Sequence, residues 1–324
     1  MKRQKTGVIL LNMGGPNTQD DVAPFLFNLF SDREIIQLGP SLLQKPIAWF
    51  ISRRRAPKSR AIYAEIGGGS PLLAITLEQA SALQASLASE GDFIVTAAMR
   101  YWPPLADEAL ELLLERGVDS ITALTLYPHF SKATTGSSII NLKKSLNRLA
   151  PNLPLKIISS FSTQPSYIRA LTENIAKGLQ LFSDNDVQII YSAHSLPVSF
   201  IKDGDPYVDH ITETIEAIES ITGQKGRLSF QSKSGPVEWL SPSTPEMLET
   251  LAGEGCRNIL MVPISFVSDH VETLYEINIL YKEKAAALNM NLLPTPSLNT
   301  HPLFISGLKE LVLQAQEEKQ SGLG

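Results

Sequence analysis

Residues 187–197 have the sequence VQIIYSAHSLP, an apolar run that ends in a polar turn. The run Val187–Ala193 predicts a buried strand, and a helical pattern over Pro206–Thr222 and a second strand candidate, Arg227–Ser232, follow it. A strand, a helix and a strand in this order form a βαβ unit with parallel strands. This stretch therefore predicts an α/β fold.

The same alternation extends over the rest of the chain. The remaining strand candidates are Gly7–Asn12, Phe93–Met99, Ser120–Tyr127, Leu155–Ser160, Asn258–Phe266 and Asn291–Pro294. Helical patterns cover Thr76–Ser89, Leu105–Arg116, Ser138–Leu149, Pro165–Phe182, Thr244–Glu254, Glu272–Leu288 and Pro302–Glu318. Four strands and then four more predict two similar doubly wound lobes, each with a four-stranded parallel sheet flanked by helices.

The lobe boundaries are expected near the serine-rich stretch SSFSTQP. We predict an N-terminal lobe over 1–160, a C-terminal lobe over 161–298, and a last segment, 299–324, that packs as a helix on the first lobe. The two halves show no clear sequence repeat, so the expected similarity is one of structure.

Composition excludes several classes of protein. The 324 residues are 43% hydrophobic with a net charge of −5, so binding to nucleic acid through a broad basic face is not expected. The single cysteine, Cys256, rules out an internal disulfide, a cysteine-cluster zinc site and an all-cysteine iron–sulfur cluster within one chain. No apolar run reaches about 18 residues, and the N-terminus lacks the features of an export signal, so we expect a cytoplasmic protein.

One apolar segment has two interpretations. Leu42–Ile51 is followed at once by Arg53, Arg54 and Arg55. Apolar and aromatic residues beside a basic cluster suit the surface of an anionic membrane. A core-facing helix with a solvated basic end explains the same pattern, and the sequence favours neither.

Polar and aromatic residues gather where the predicted strands end. Ligands in open α/β sheets bind beyond the carboxyl ends of the strands. The residues of interest at such positions are Arg100, Trp102, His129, His194, Asp269 and His270. The sequence therefore predicts a binding cleft at these strand ends.

The second half carries the densest group of ionisable residues. His194 is a candidate proton acceptor or metal ligand, or else a structural histidine at a strand end. Glu272 and Glu276 are four residues apart and share one helix face, where two carboxylates can relay protons or bind a cation. Capping by Asp269, with Glu272 in the first helical turn, is the structural alternative.

Two other motifs have simpler explanations. Gly67–Ser70 matches no phosphate-binding fingerprint, so a tight turn is favoured over a nucleotide site. Trp239 lies in a loop after a strand, where it either stacks on a flat ligand or fills the core.

The motifs together resemble the ferrochelatase family. They run in order through nearly the whole chain: LLNMGGP (10–16), FLFNLFSDREI (25–35), RRRAPKS (53–59), IGGGSPL (66–72), MRYWPP (99–104), TLYPHFSKATTGSS (125–138), SAHSLP (192–197), QSKSGPVEWLSPST (231–244) and VPISFVSDHVETLYEIN (262–278). SAHSLP together with SDHVETLYE is specific, whereas the glycine motifs alone are weak. The resemblance implies a lyase that inserts Fe²⁺ into a porphyrin with release of two protons, at or near the last step of haem biosynthesis.

The resemblance also implies roles for individual residues. His194 would accept pyrrole protons and contact iron, with Glu272 as its acidic partner across the cleft and as the second residue expected to bind the metal. Asp269, His270 and Glu276 would extend a proton relay, which Leu280 interrupts where some members carry an acid. The residues expected to contact the porphyrin are Met13, Arg100, Tyr101, Ser131 and Trp239.

Substrates and partners follow from the same resemblance. Residues 36–52 would form a lip over the cleft, where an apolar porphyrin enters from a membrane surface, so peripheral contact with the inner face of the membrane is expected. The lip favours protoporphyrin IX over coproporphyrin III. No resident cofactor is expected, because Fe²⁺ is a substrate and the cysteine-free end Gln316–Gly324 cannot hold a [2Fe–2S] cluster. A cobalt or nickel chelatase and a non-catalytic haem carrier are the alternatives.

Overall fold

Eight parallel strands form two separate four-stranded sheets in the part of the chain that the structure describes, residues 4–183 and 186–317 of a computed structural model. One compact unit comprises the chain up to Ser160 together with the segment from Phe304, and the other comprises Phe161–Leu303. The fold class predicted from the sequence is confirmed.

The first unit contains strands β1 (Lys5–Asn12), β2 (Asp92–Met99), β3 (Ser120–Thr125) and β4 (Leu155–Ile158), in the order β2-β1-β3-β4. Its helices are α1 (Val22–Ser31), α2 (Gln44–Glu65), α3 (Leu72–Leu87), α4 (Ala106–Glu115) and α5 (Ser137–Leu149). A one-turn π-helix, Lys132–Gly136, leads into α5.

The second unit repeats this arrangement. Its strands are β5 (Val187–His194), β6 (Gly226–Gln231), β7 (Asn258–Pro263) and β8 (Asn291–Pro294), in the order β6-β5-β7-β8. Its helices are α6 (Pro165–Leu179), α7 (Val198–Lys202), α8 (Tyr207–Thr222), α9 (Thr244–Gly253), the π-helix Glu272–Tyr281 and α10 (Lys282–Ala287). The last helix, α11 (Pro302–Glu317), crosses the boundary between the units in sequence.

The last helix is held to the first unit by polar contacts. Lys309 Nζ lies 2.5 Å from Glu90 Oε1, and Gln316 Nε2 donates to Thr122 Oγ1 over 2.8 Å. Lys156 Nζ donates to the carbonyl oxygen of Ala315. The rest of the predicted C-terminal segment, residues 318–324, lies outside the described residues.

The cores explain why these sequences form strands. Both sheets are covered on two faces, so their central strands are continuous apolar runs. In the first unit Ile9 of β1 and Ile121 of β3 pack with Leu110 of α4 and Leu142 of α5. The second unit has its own cluster, in which Ile190, Met261 and Tyr281 take part.

The structure differs from the sequence prediction in several places. Helix α1 was not predicted, and the start of α2 was predicted only as one of two interpretations of Leu42–Ile51; prolines lie within both helices. The predicted helix Glu272–Leu288 is a π-helix for its first ten residues. The predicted strand Asn258–Phe266 ends earlier, at Pro263, because the chain turns away toward the site.

The segment predicted as a lip, 36–52, contains a short 3₁₀ turn (Ser41–Leu43) and the start of α2. Leu42 and Phe50 are 89% and 60% exposed, and Trp49 is 51% exposed. The core-facing interpretation of this segment therefore does not hold for these three side chains. None of the helices in the described part of the chain combines the length and the apolar character needed to cross a bilayer.

The glycine loop Gly67–Ser70 is a tight turn in which the amides of Gly67, Gly68 and Ser70 donate within the chain. Gly68 N donates to Tyr63 O and Ser70 N donates to Pro16 O, at 2.8 and 2.7 Å. A Cβ on Gly69 would lie 2.1 Å from the Asn17 carbonyl oxygen. Since these amides bind within the chain, the loop does not present the open row of N–H groups that a phosphate needs.

Candidate active site

His194 is the last residue of β5, the strand from which the second sheet switches direction. The chain runs from β5 to β6 on one side and then crosses from β6 to β7 on the other side of β5, so the carboxyl ends of β5 and β7 flank a topological switch point. The His194 amide donates to Ser265 Oγ over 2.9 Å, and Tyr207 Oη donates to the His194 carbonyl over 3.0 Å. These bonds fix the backbone that carries the imidazole.

The imidazole is bonded through one nitrogen only. His194 Nδ1 lies 2.8 Å from Glu272 Oε2, and the two side chains are 35% and 16% exposed. A carboxylate only accepts, so Nδ1 carries the hydrogen and Nε2 keeps its lone pair in the neutral ring. Nε2 has no hydrogen-bond partner among the described residues. It is the nitrogen that can accept a proton or bind a metal.

Glu272 does not lie across a cleft from His194, which corrects the sequence-based expectation. Both residues belong to the second unit and are in direct contact. The reason is topological, because β5 and β7 are neighbours and the chain that follows β7 returns to the end of β5. Gln231 Nε2 donates to the Glu272 carbonyl over 3.1 Å and holds the start of the π-helix there.

The charges of this pair reinforce each other. Burial alone would lower the pKa of His194, but the charge and hydrogen bond of Glu272 outweigh it, so the pKa of His194 lies above its ordinary value. Burial would raise the pKa of Glu272, but His194 and then His270 lower it, and the net pKa is well below the ordinary value. Glu272 is therefore ionised, and His194 is a stronger base than a free imidazole.

A second carboxyl is linked to the first through a serine. Ser232 Oγ lies 2.7 Å from Glu272 Oε2 and 2.8 Å from Glu276 Oε2, and Tyr281 Oη donates to Glu276 over 3.2 Å. Burial and the Glu272 carboxylate raise the pKa of Glu276 to about 7. Since Ser232 has one hydrogen, both contacts are satisfied when a protonated Glu276 donates to Ser232 and Ser232 donates to Glu272.

His270 and Phe266 border the same group. His270 Nδ1 lies 3.1 Å from the Ser268 carbonyl, so this nitrogen carries the hydrogen, and Nε2 lies 3.9 Å from Glu272 Oε1. Burial lowers the pKa of His270. The Phe266 ring packs against His270 with centroids 4.4 Å apart and meets His194 edge to face at 6.5 Å.

Asp269 is held elsewhere. Its carboxylate accepts from Asn299 Nδ2 over 2.8 Å and from Thr273 Oγ1 over 3.1 Å. It also lines a cavity of about 260 Å³ at the ends of β7 and β8, together with Ser297 and other residues. The structure brings His194, Glu272 and Glu276 into one bonded network but gives Asp269 different partners.

Trp239 lies beside the turn that follows His194. The segment 238–240, which contains Trp239, pairs with residues 196–198: Leu240 N donates to Leu196 O and Val198 N donates to Glu238 O. Trp239 is half-buried, and its Nε1 has no hydrogen-bond partner among the described residues. The two sequence candidates Trp239 and His194 are therefore neighbours in the fold.

Arg100 follows β2 in the first unit, and three contacts hold its guanidinium. Its Nη2 lies 2.7 Å from Asp32 Oδ2 and its Nε donates to Ser137 Oγ over 2.7 Å. The guanidinium carbon lies 4.8 Å from the centre of the Tyr101 ring. Tyr101 itself is 2% exposed, and its hydroxyl donates to Asp32 over 2.7 Å. Tyr101 therefore supports Arg100 and has no exposed surface of its own for a ligand.

The remaining candidates of the first unit lie at the ends of β1 and β3. Met13 is half-buried, and its carbonyl accepts from Tyr101 N over 3.0 Å. Ser131 is fully buried and its hydroxyl accepts from Ala133 N, so it caps the short π-helix. Ser131 therefore has a structural role as a helix cap.

Two side chains of these hydrogen-bonded networks were not among the candidates chosen from the sequence. Ser232 directly follows β6, so the strand-end rule that selected His194 would have selected it as well. Asp32 ends α1, and no strand points to it. Within the described residues, no set of three or more His, Cys, Asp or Glu side chains is arranged to hold a metal ion.

Comparisons with known proteins show the family and the fold of the chain. The model of the ferrochelatase family matches residues 5–316. A ferrochelatase of Desulfotalea psychrophila is 62% identical over 97% of this chain and 98% of its own length. One of Geotalea daltonii is 50% identical over 97% of this chain and 99% of its own. Among solved structures, SirB from Bacillus subtilis with Fe³⁺ covers 98% of both chains at a TM-score of 0.59 and 11% identity, which shows a shared fold.

Proposed function

The chain belongs to the ferrochelatase family, and from this premise we propose that it inserts Fe²⁺ into a carboxylate-bearing porphyrin and releases two protons. The reaction is that of a metal chelatase, a lyase, at or near the last step of haem biosynthesis. It needs no resident cofactor, because iron and porphyrin are both substrates. The observation that carries the proposal is the free Nε2 of His194, backed by the Glu272 carboxylate at 2.8 Å.

Metal insertion requires a base, because the porphyrin loses two N–H protons as the metal enters. Nε2 of His194 can accept a pyrrole proton, and the Glu272 carboxylate stabilises the imidazolium that results. The same nitrogen is a suitable ligand for Fe²⁺, and a carboxylate bonded to the opposite ring nitrogen is the usual support of a metal-binding histidine. Glu272 serves both tasks from one position.

The protons then need a way out. From Glu272 the hydrogen bonds continue through Ser232 to Glu276. A carboxyl whose pKa is about 7 gains and loses a proton readily at neutral pH, which suits Glu276 as the outer relay group. We assign His270 to the start of the proton relay, because its Nε2 lies 3.9 Å from Glu272 Oε1. We assign Asp269 a supporting role, in which it accepts a hydrogen bond from Thr273 at the start of the π-helix.

In the first unit we assign porphyrin contact to Arg100 and Met13, and in the second to Trp239. A guanidinium has no lone pair and repels Fe²⁺, so Arg100 acts on the porphyrin and not on the metal. The half-buried side chains of Met13 and Trp239 offer apolar surface to a flat macrocycle. Tyr101 and Ser131 act indirectly, because both are buried.

The exposed apolar side chains of the lip bear on which porphyrin is the substrate and on where in the cell the protein acts. Protoporphyrin IX has two carboxylates and is poorly soluble in water, whereas coproporphyrin III has four. Side chains such as Phe50 and Trp49, followed by Arg53–Arg55, suit the surface of an anionic membrane. We therefore propose protoporphyrin IX as substrate and peripheral contact with the inner face of the membrane, with the protein on the cytoplasmic side.

The substrate is tested by anaerobic Fe²⁺ insertion into protoporphyrin IX and coproporphyrin III, followed by absorbance over many turnovers. We expect repeated turnover with a higher kcat/KM for protoporphyrin IX. A preference for coproporphyrin III would overturn the assigned substrate. Binding of either porphyrin without turnover would instead indicate a carrier, and cobalt insertion into sirohydrochlorin alone would indicate a different chelatase.

A further inference from the structure

We propose that Asp32 is the positioning residue of Arg100, holding its guanidinium in one orientation so that the Nη1 edge is presented to the porphyrin. The inference deepens the proposed function and depends on it for the identity of the ligand. Asp32 lies at the end of α1, away from the strand ends at which the other candidates lie. Three of its partners are far away in sequence.

Four hydrogen bonds converge on the Asp32 carboxylate. Oδ2 accepts from Arg100 Nη2, from Tyr101 Oη and from Ser137 Oγ, the first two at 2.7 Å. Oδ1 accepts from Glu34 N over 2.9 Å. A single side chain thus joins the end of α1, the end of β2 and the start of α5.

The carboxylate is charged where it lies. Its side chain is only 6% exposed. Burial raises the pKa of Asp32, but the hydrogen bonds from Ser137 and Tyr101, the Glu34 amide and the charge of Arg100 together lower it below the ordinary value. A buried carboxylate with one cationic partner makes a strong and directional contact, because little water competes for either group.

The guanidinium is restrained on two sides and left open on a third. Asp32 and Ser137 occupy Nη2 and Nε, and the Tyr101 ring covers one face. Nη1 has no hydrogen-bond partner among the described residues, and the Arg100 side chain is 21% exposed. Since a guanidinium is planar, fixing two nitrogens also fixes the direction in which the third donates.

Asp32 also connects this restraint to the lip. The segment between Asp32 and α2 is fastened by Gln44, which is 3% exposed. Gln44 Nε2 donates to the carbonyls of Phe30 and Ile36, at 2.8 and 2.9 Å. Its Oε1 accepts from Leu38 N over 3.1 Å. The base of the lip and the Arg100 guanidinium are therefore held by the same short stretch of chain.

The kinetic test is Asp32→Asn in the full chain, compared with Arg100→Gln and the double variant. We expect Asp32→Asn to raise KM for the porphyrin by about tenfold or more while KM for the metal stays unchanged, the scale typical for loss of a supporting hydrogen-bond partner. The double variant should be no worse than Arg100→Gln alone, because both changes remove one interaction. Additive effects would overturn the proposal.

Asp107→Asn is the matched control. Asp107 pairs with Arg148 at the same 2.7 Å in the same unit, but the two side chains are 44% and 60% exposed. We expect this variant to keep both KM values. An equal rise in KM would show that loss of any Asp–Arg pair in this unit disturbs binding and would contradict a specific role for Asp32.

A second readout does not depend on activity. In ¹⁵N NMR spectra, restrained rotation about the Arg100 Nε–Cζ bond should give separate Nη signals in the wild type, identified by their loss in Arg100→Gln. Asp32→Asn should average them, and Tyr101→Phe, which removes one donor but keeps the ring, should do so in part. Separate signals in a folded Asp32→Asn protein would overturn the proposal even if no porphyrin were metalated. Should Asp32→Asn fail to fold, Tyr101→Phe decides in the same way.

Discussion

The imidazole of His194 suits the proposed reaction because only one of its two nitrogens is occupied. Glu272 holds Nδ1 and leaves Nε2 available, and the ion pair raises the proton affinity of the ring. Glu272 stays ionised, whereas burial and the Glu272 carboxylate raise the pKa of Glu276, four residues away, to about 7. Two like side chains thus titrate in different pH ranges, and the direct contact of Glu272 with a histidine contributes to that difference.

Replacing Glu272 by glutamine should lower the pKa of His194. The carboxylate is what raises that pKa, and the burial that remains acts in the opposite direction. The ¹H NMR signal of the His194 ring, followed against pH, measures the shift. Glu173→Gln is the control, because Glu173 lies 3.5 Å from a different histidine, His301. A His194 pKa that stays at its wild-type value in Glu272→Gln would contradict the assigned pairing.

Replacing Glu276 by glutamine should stabilise the protein in alkaline solution. The pKa of Glu276 is about 7 in the folded state, above its ordinary value of 4.5, so wild-type stability is lost as pH rises through this interval. At about pH 8 the variant should gain roughly 1–3 kcal/mol in the free energy of unfolding, and near pH 5 the gain should shrink.

Urea unfolding at the two pH values measures this difference. Glu249→Gln serves as control, because Glu249 is 60% exposed and pairs with Lys284 at the surface. A gain for Glu276→Gln that is equal at both pH values would show that Glu276 does not titrate in this range.

Among single residues, the sequence indicates those that lie at the ends of strands. It misses residues whose role depends on contacts with distant parts of the chain. His194 and the Glu272–Glu276 pair were predictable, since strand ends and a spacing of four are visible in a sequence. Asp32 was not, because its function rests on partners 68 to 105 residues away.

Among the helices and strands, the π-helix Glu272–Tyr281 supplies both glutamates of the bonded network. Its wider turn still places Glu272 and Glu276 on one side, where both reach Ser232. Ser232 has a φ of 65°, a left-handed conformation that is uncommon outside glycine and marks strain near a functional site. The sequence predicts a helix here but not its type, because apolar spacing does not separate a π-helix from an α-helix over two turns.

The start of α2 is the element on which the proposed membrane contact depends. Replacing Trp49 and Phe50 together by glutamate should weaken binding to vesicles that contain phosphatidylglycerol by about tenfold or more, since each aromatic contributes about 1.5–3 kcal/mol when buried. Co-sedimentation with such vesicles, and with phosphatidylcholine alone, measures it.

The matched control replaces Leu77 and Leu112 by glutamate. Both are exposed, at 48% and 42%, but lie on α3 and α4. Equal loss of binding in the two double variants would contradict a contact made by the lip, and so would wild-type binding that the Trp49 and Phe50 changes leave intact.

At the scale of the whole molecule, two units with the same strand order each place chemistry at the carboxyl ends of their strands. The alternation of strands and helices was enough to predict both sheets. The order β6-β5-β7-β8 was not predictable in detail, and it is what places Glu272 beside His194 and not across a cleft. The bonded network joins residues that follow neighbouring strands of the sheet and are far apart in sequence.

The most direct test of the account is Fe²⁺ insertion into protoporphyrin IX by the wild type and by His194→Ala, with porphyrin binding measured for both by fluorescence. We predict that the variant binds the porphyrin but inserts the metal at least about 100-fold more slowly, as expected when a general base is removed. A folded His194→Ala protein that inserts iron at the wild-type rate would contradict the central role of the His194–Glu272 pair.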